Sequence, residues 1–186
     1  MPSIAALWLP ILVSSVFVFL ASTVIHMMLP YHRSDFGKLP DEDGLQEALR
    51  KFNIPPGDYM LPCAGGPEGM KSPAHKERIA KGPVVLMTVF GKDAANMGAS
   101  LVQWFLYLVL VSFLTAYVTS RAVEPGDHYL RVFRFAGATS FIAYSIGLWQ
   151  NSIWYKQKWS TTFKNTIDGL VYGLLTAGCF GWLWPR

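Results

Sequence analysis

The chain has 186 residues, of which 52% are hydrophobic and 15% are charged. Soluble domains carry about 25% charged residues, so this composition excludes an ordinary soluble globular protein. The formal charge of +4 is spread along the chain, without the basic patch and interleaved aromatic side chains that indicate nucleic-acid binding. We therefore expect a membrane protein that contacts membrane lipids and no nucleic acid.

Long uncharged stretches predict four transmembrane helices, each meeting the requirement for about 20 consecutive apolar residues. The first stretch has no lysine or arginine before it, so we expect an uncleaved helix and not a signal peptide. The fold class predicted is an all-α membrane protein: helix 1 in 1–30, an extramembrane cap loop in 31–97 and a three-helix region in 98–186. The four spans are predicted near residues 5–29, 98–120, 135–155 and 163–184.

Two histidines mark the end of the first span. His26 lies within the span, and His32 follows it beyond Pro30. A membrane b-type haem usually needs two axial ligands inside the bilayer, which this chain does not offer. A ring near the membrane edge can extend its polar tip to water, so we expect interfacial packing for His26, with ligation of a pigment as the alternative.

The loop of residues 31–97 carries nine basic and nine acidic side chains and predicts a small folded cap. Leu45, Ala48, Leu49 and Phe52 recur at helical spacing. Ser72, Pro73 and Gly82 predict a second helix, with Ser72 as its N-cap. The β-branched run PVVLMTVFG predicts a strand that pairs with DYMLP as a hairpin. At this size a core alone is marginally stable, so we expect the cap to rest on a partner or on the membrane helices.

The cap predicts no metal site. Met60, Cys63, Met70 and His75 offer soft ligands, but their spacing matches no closed metal motif. The two cysteines, Cys63 and Cys179, are expected to pack as free thiols. The chain contains no nucleotide-binding or hydrolase motif, so no catalytic residue and no cofactor are predicted.

Small residues recur every four positions in the last two spans. Close approach through small residues holds helices together in lipid, so we expect these spans to pack tightly, either as a hairpin, which their short connecting loop favours, or with one stripe given to another chain. The predicted packing residues are Gly169, Gly173, Ala177 and Gly181 in the fourth span and Thr139, Ala143 and Gly147 in the third.

Polar residues near one membrane edge suggest an alternative in which this edge carries a functional site. Intramembrane polar residues are functional candidates by default. Asp168 also suits a structural role. It lies near the start of a helix that Ser160 or Thr161 is expected to cap, where a negative charge is favourable, and four residues after Lys164, a possible ion-pair partner. The aromatic belt around Trp149 to Trp159 could bind a quinone or a lipid headgroup. The rim site would comprise Asp168, Asn165, Gln150, Asn151, His26 and His32.

The basic residues near the span ends predict the orientation. Eight of them fall on the side of loops 31–97 and 156–162, against four on the other side. Cytoplasmic loops carry the excess of lysine and arginine. We therefore expect those two loops in the cytoplasm and both termini in the periplasm.

The chain resembles a family of small four-span bacterial inner-membrane proteins to which no activity is assigned. The likeness covers nearly the whole chain and is carried by LPYHRSDF, LPDED, IPPGDYMLP, NSIWYKQKWSTTFKNTIDGLVYGLLTAG and FGWLWPR. It implies a bacterial origin and an integral inner-membrane location, and no site residue follows from it.

Two functions are expected from these features. The first is a non-catalytic accessory or scaffolding subunit of a larger photosynthetic or respiratory membrane complex, since the bulky first two spans offer surface to other subunits. The alternative is a membrane enzyme, or a protein that handles lipid or quinone, with its site at the cytoplasmic rim.

Overall fold

The chain is mostly helical, as the sequence predicts, and a computed structural model describes its residues 2–91 and 96–186. These residues divide into two units. One combines Met1–Gly37 with Gly98–Arg186, and the other is Lys38–Met97. The first unit holds the long helices, and the second holds short helices and a two-stranded sheet.

Three of the described helices are long and apolar enough to cross a membrane, as expected for a membrane protein. The first runs over Ile4–Met28. It comprises a 3-10 turn (Ile4–Leu7), helix α1 (Trp8–Thr23) and a π-helical turn (Val24–Met28). The other two are α5, Met97–Ala122, and α8, Trp159–Leu183.

The segment predicted as the third span begins earlier than expected and is divided. It forms α6 (Tyr129–Ser145), a 3-10 turn (Ile146–Leu148) and α7 (Trp149–Trp154). The early start has a local cause, because the His128 side chain caps α6 by accepting a hydrogen bond from the Leu130 N–H at 3.2 Å. The helix therefore begins among charged residues, which the apolar pattern had placed outside the predicted span.

Segment α6–α7 runs antiparallel to α8 along nearly its whole length. At the far end of this hairpin, Ser152 Oγ and Thr162 Oγ1 lie 2.6 Å apart. Glycines on α8 allow this approach, because a Cβ at Gly169 or Gly173 would lie within 3.3 Å of α6 atoms. The closest pairs are Tyr129 with Gly181, Gly137 with Ala177, Phe141 with Gly173 and Ser145 with Gly169.

The face of α6 that meets α8 is not the one predicted. Ala143 is exposed, and a Cβ at Gly147 would meet nothing within 4 Å. Thr139 is half-buried and donates to the Phe135 carbonyl of its own helix at 2.8 Å. The prediction of Thr139, Ala143 and Gly147 as the residues of α6 that pack against α8 is therefore corrected, because Gly137, Phe141 and Ser145, at the same spacing on another face of α6, make these contacts.

Helix α1 packs between its neighbours through hydroxyl groups as well as apolar side chains. Ser14 and Ser15 of α1 each place their Oγ within 3.2 Å of Ser112 Oγ on α5. Two apolar clusters fill the unit. The first contains Leu7, Ile11, Ala116, Val123, Val132, Ala136, Phe180 and Trp184, and the second contains Val18, Leu108, Val111, Tyr144 and Tyr172.

The second unit contains the two helices and the hairpin that the sequence predicts. Helix α2 (Glu42–Arg50) starts at Asp41, whose carboxylate accepts from the Gly44 N–H at 2.9 Å. Helix α4 (Pro73–Lys81) starts at Ser72, which accepts from the His75 N–H at 3.2 Å and so confirms the predicted cap.

A short helix and a hairpin complete this unit. Helix α3 (Pro67–Lys71) directly precedes α4. Strands β1 (Gly57–Leu61) and β2 (Val85–Val89) pair antiparallel with Tyr59 opposite Met87. Among the described residues of this unit, Pro62 alone is buried. The part of this unit that the structure describes therefore has hydrogen-bonded structure without an apolar core.

Candidate functional site

The candidate site begins where the chain reverses direction after the first long helix. The π-helical turn closes with a hydrogen bond from the Leu29 N–H to the Val24 carbonyl at 3.2 Å. Pro30 then prevents the helix from continuing, and Leu29 adopts an extended conformation. The reversal carries His32 back over His26, so that their ring centroids are 4.4 Å apart. Single π-helical turns are frequently found at functional sites.

His32 lies between two carboxylates. Its Nδ1 is 2.6 Å from Asp35 Oδ2, and its Nε2 is 2.9 Å from Asp168 Oδ2 on α8. These two contacts fix the orientation of the imidazole between the carboxyl groups of Asp35 and Asp168. All three side chains are largely buried, with 13% of His32, 9% of Asp35 and 6% of Asp168 exposed. His32 therefore joins the chain reversal to the buried carboxylate of α8.

Lys164 of α8 completes this charged network. Its Nζ donates to Asp35 Oδ1 at 2.7 Å, to Ser34 Oγ at 2.8 Å and to the Tyr31 carbonyl at 2.8 Å. In return, the Tyr31 hydroxyl donates to the Lys164 carbonyl at 3.1 Å. The sequence suggested that Lys164 pairs with Asp168, four residues later. In the structure its ammonium contacts Asp35 instead. Lys164 therefore gives the buried Asp35 carboxylate the cationic partner that a buried charge requires.

The electrostatics of the reversal favour an ionised Asp35 and a neutral Tyr31. Burial by itself raises the pKa of Asp35, but hydrogen bonds from Lys164 and His32, together with their positive charges, outweigh it and leave the pKa below its ordinary value. Burial raises the pKa of the Tyr31 hydroxyl, and the charges of Asp168 and Asp35 raise it further. Asp35 is therefore a fixed negative charge behind the His32 ring.

The side chains of His26, His32 and Asp168 bring three metal-binding atoms close together. One ligand atom from each of His26, His32 and Asp168 lies within 4.8 Å of the others. His26 is exposed, and its Nε2 is 3.3 Å from the Tyr172 hydroxyl. The sequence placed these three residues at one membrane edge but predicted no metal site, and His32 and Asp168 are 136 residues apart along the chain. In the folded chain the two side chains are in contact.

Two adjacent cavities share His26 and Trp104. The first, of about 320 Å³, also reaches the buried Asp168. The second, of about 260 Å³, extends along Met27 and Leu101. The Trp104 ring is held in place by a hydrogen bond from its Nε1 to Ser22 Oγ at 2.9 Å and by stacking on Tyr107 at 5.3 Å between centroids. The remaining residues of the first cavity are Tyr107, Tyr144, Leu148, Asn165 and Tyr172.

No family model, curated protein or solved structure matches the chain. The chemistry of the site therefore follows from its own geometry.

The predicted rim residues divide into two groups. His26, His32 and Asp168 come together, and Asn165 lines the cavity beside them. Gln150 and Asn151 line neither cavity: Gln150 is exposed on α7, and the Asn151 carbonyl accepts hydrogen bonds from the Tyr155 and Gln157 N–H groups. The predicted caps also fail, since α8 starts at Trp159 without a side-chain cap and Ser160 and Thr161 lie inside its first turn.

Several residues of the site escaped the sequence analysis. Asp35 and Lys164 hold His32, and Trp104 and Tyr172 shape the cavity. One signal was present, because His32 and Asp35 are three residues apart in LPYHRSDF, the spacing of neighbouring side chains in a helical turn. The contact of Lys164 with that turn had no sequence signal.

Proposed function

We propose that the protein is a four-span bacterial inner-membrane protein that binds a quinone-class ligand in the paired cavities at its cytoplasmic rim. The observation that carries this proposal is the meeting of buried Asp168, the His26 ring and the Tyr172 hydroxyl at the fixed Trp104 ring. Small-molecule sites typically combine such an apolar, aromatic lining with a few convergent polar groups.

The pairing of α6–α7 with α8 supports the fourth span. The contacts extend from Tyr129 beside Gly181 to Ser152 beside Thr162. Since α8 is long and apolar enough to cross the membrane, a partner that follows it over this length crosses as well. At 1.5 Å per residue, the 26 residues of α6–α7 extend about 39 Å, which exceeds the hydrocarbon thickness of about 30 Å.

The direction of the helices supports the location of the site. The first long helix and α6–α7 end near the site, and α5 and α8 begin there. This arrangement supports a topology in which residues 29–37 and 156–158 lie on one side of the membrane. The excess of basic residues flanking these segments favours the cytoplasm for that side, and the resemblance described above favours the bacterial inner membrane.

The two cavities suit the two parts of a quinone. The carbonyl oxygens of the head group would accept hydrogen bonds from the Tyr172 hydroxyl and a His26 N–H, and aromatic rings pack favourably beside Trp104. The cavity along Met27 and Leu101 would receive the start of the apolar tail. His26 is exposed on the helical surface, so a ligand dissolved in the lipid can reach it without a passage through the protein.

Fluorescence titration of the detergent-solubilised protein with decylubiquinone tests the proposal. We expect saturable quenching in the wild type, lost in Trp104→Phe and kept in Trp182→Phe. Trp182 is the matched control, because it is 78% exposed and lies at the other end of α8. Quenching that rises linearly in all three proteins, or a co-purified phospholipid that the quinone does not displace, would contradict the proposal.

The accessory-subunit function is the second candidate, favoured by the unit Lys38–Met97. Large apolar side chains there are exposed without a core beneath them, including Phe52 at 73% and Phe90 at 75%. Purification of the native protein in mild detergent, followed by native mass spectrometry, tests this candidate. A reproducible heavy assembly is expected if the protein is a subunit, and a monodisperse protein without a partner contradicts it.

A further inference from the structure

We propose that His26, His32 and Asp168 bind one divalent transition-metal ion at the rim of the membrane. Two imidazoles and one carboxylate are the ligand set of catalytic zinc sites and of non-haem iron sites. Their ligand atoms already lie within 4.8 Å of one another. The proposed metal site shares His26 and Asp168 with the quinone cavity, but it is inferred from the spacing of the three ligand atoms and does not rest on the quinone assignment.

The cluster needs little rearrangement to hold an ion. His32 Nε2 and Asp168 Oδ2 are 2.9 Å apart. Two ligands at about 2.1 Å from a tetrahedral ion are about 3.4 Å apart, so these atoms would separate by about half an ångström. The ion would take the place of the Nε2 proton, which is released to solvent on binding. His26 is exposed, so its ring can adjust to supply the third ligand.

The surroundings of His32 match those of a metal-binding histidine. Such histidines usually donate their second ring N–H to a carboxylate, which fixes the tautomer and orients the ring. Asp35 occupies this position, 2.6 Å from Nδ1. Lys164, 2.7 Å from the other oxygen of Asp35, holds the carboxylate in turn. Asp35 is thus a positioning residue, and His26, His32 and Asp168 are the ligands.

The ligand chemistry selects the class of ion. Imidazole nitrogens favour zinc, iron, cobalt and copper over magnesium and calcium, which prefer oxygen ligands. Three protein ligands leave one tetrahedral position open. The cavity of about 320 Å³ beside His26 and Asp168 provides room for water there. We therefore expect Zn²⁺ and Co²⁺ to bind, and Mg²⁺ not to compete.

Metal titration of the full-length protein, without a polyhistidine tag and without quinone, tests the proposal. After removal of metals with a chelator, Zn²⁺ affinity is measured by competition with a chromophoric chelator and Co²⁺ binding by visible absorption. We expect one ion per chain in the wild type. The matched control is His75→Gln, which removes a histidine of the unit Lys38–Met97 and leaves the cluster intact.

The variants are expected to fall in a fixed order. Asp35→Asn weakens Zn²⁺ binding about 10- to 100-fold, as removal of an outer partner does, and alters the Co²⁺ spectrum. His26→Gln and Asp168→Asn weaken it further, while His75→Gln retains wild-type affinity. Since loss of the Asp168 charge can destabilise the fold, the exposed His26 supplies a second ligand variant. Circular dichroism and size exclusion without metal check that each variant is folded.

Two results would overturn the proposal. One is a wild-type protein that takes up no Zn²⁺ at a stoichiometry of one. The other is a folded His26→Gln protein that binds Zn²⁺ as tightly as His75→Gln. In either case a quinone that still binds beside Trp104 would leave the proposed function standing, so the two proposals can fail separately.

Discussion

A methyl group added at Gly169 tests the packing that carries Asp168 into the site. A Cβ at this position would lie 2.6 Å from Ser145 Cβ and 3.1 Å from Ser145 Oγ on α6. Ser145 cannot easily turn aside, since its hydroxyl donates to the Phe141 carbonyl at 2.6 Å. We therefore predict that Gly169→Ala forces α6 and α8 apart.

The magnitude follows from the overlap. Carbon atoms pack at about 3.5–4.0 Å, so the two helices would have to separate by about 1 Å at this point. Overpacking of this kind typically costs about 1–3 kcal/mol. Gly178→Ala is the matched control, because its added Cβ would have as its nearest contact the Tyr129 hydroxyl at 4.0 Å. The gain in helix propensity, about 1 kcal/mol, is common to both variants and cancels in their difference.

Unfolding of both variants by SDS in mixed micelles, followed by circular dichroism, measures this difference. We expect Gly169→Ala to be less stable than Gly178→Ala by about 1–3 kcal/mol. Equal free energies of unfolding would refute the close contact between Gly169 and Ser145.

Three further substitutions test other contacts by the same measurement. Lys164→Met leaves Asp35 buried without its ammonium partner and should lower the free energy of unfolding by about 3–5 kcal/mol. Lys156→Met is the control and should lower it little, because the exposed Lys156 ammonium contacts the Ile153 carbonyl. Equal losses of stability in the two variants would argue against the network. Ser112→Ala removes the hydroxyl shared by Ser14 and Ser15 and should cost about 0.6–2 kcal/mol, more than Ser120→Ala, whose hydroxyl bonds within α5. Trp184→Phe removes the indole donor to the Glu124 carbonyl at 2.9 Å and should cost about 1 kcal/mol, and an unchanged stability would show that this contact is not formed.

The features that the sequence predicts well are determined by neighbouring residues. The Ser72 cap and the paired strands follow from local backbone preferences, and three long helices follow from continuous apolar stretches. Each of these elements is determined by a short segment of sequence, so it can be predicted without knowledge of the tertiary contacts.

The features it misses depend on residues far apart in the chain. Four-residue spacing alone favoured Thr139, Ala143 and Gly147, but the observed contact places Phe141 against Gly173. Gly137, Phe141 and Ser145, which make the contacts with α8, have the same four-residue spacing, so spacing alone could not identify the face of α6 that meets α8. The sequence placed His26, His32 and Asp168 at one membrane edge, but the direct contact of His32 with Asp168, across 136 residues, depends on the π-helical turn and could not be predicted.

Photo-crosslinking with a quinone that carries a photoreactive group on its head tests the central claim most directly. After illumination of the protein in proteoliposomes, mass spectrometry locates the modified residues. The account predicts labelling at Trp104, Tyr107, Tyr144 and Tyr172, suppressed by excess decylubiquinone. Labelling spread evenly over the helices, or concentrated near Trp182 at the opposite end of α8, would contradict it.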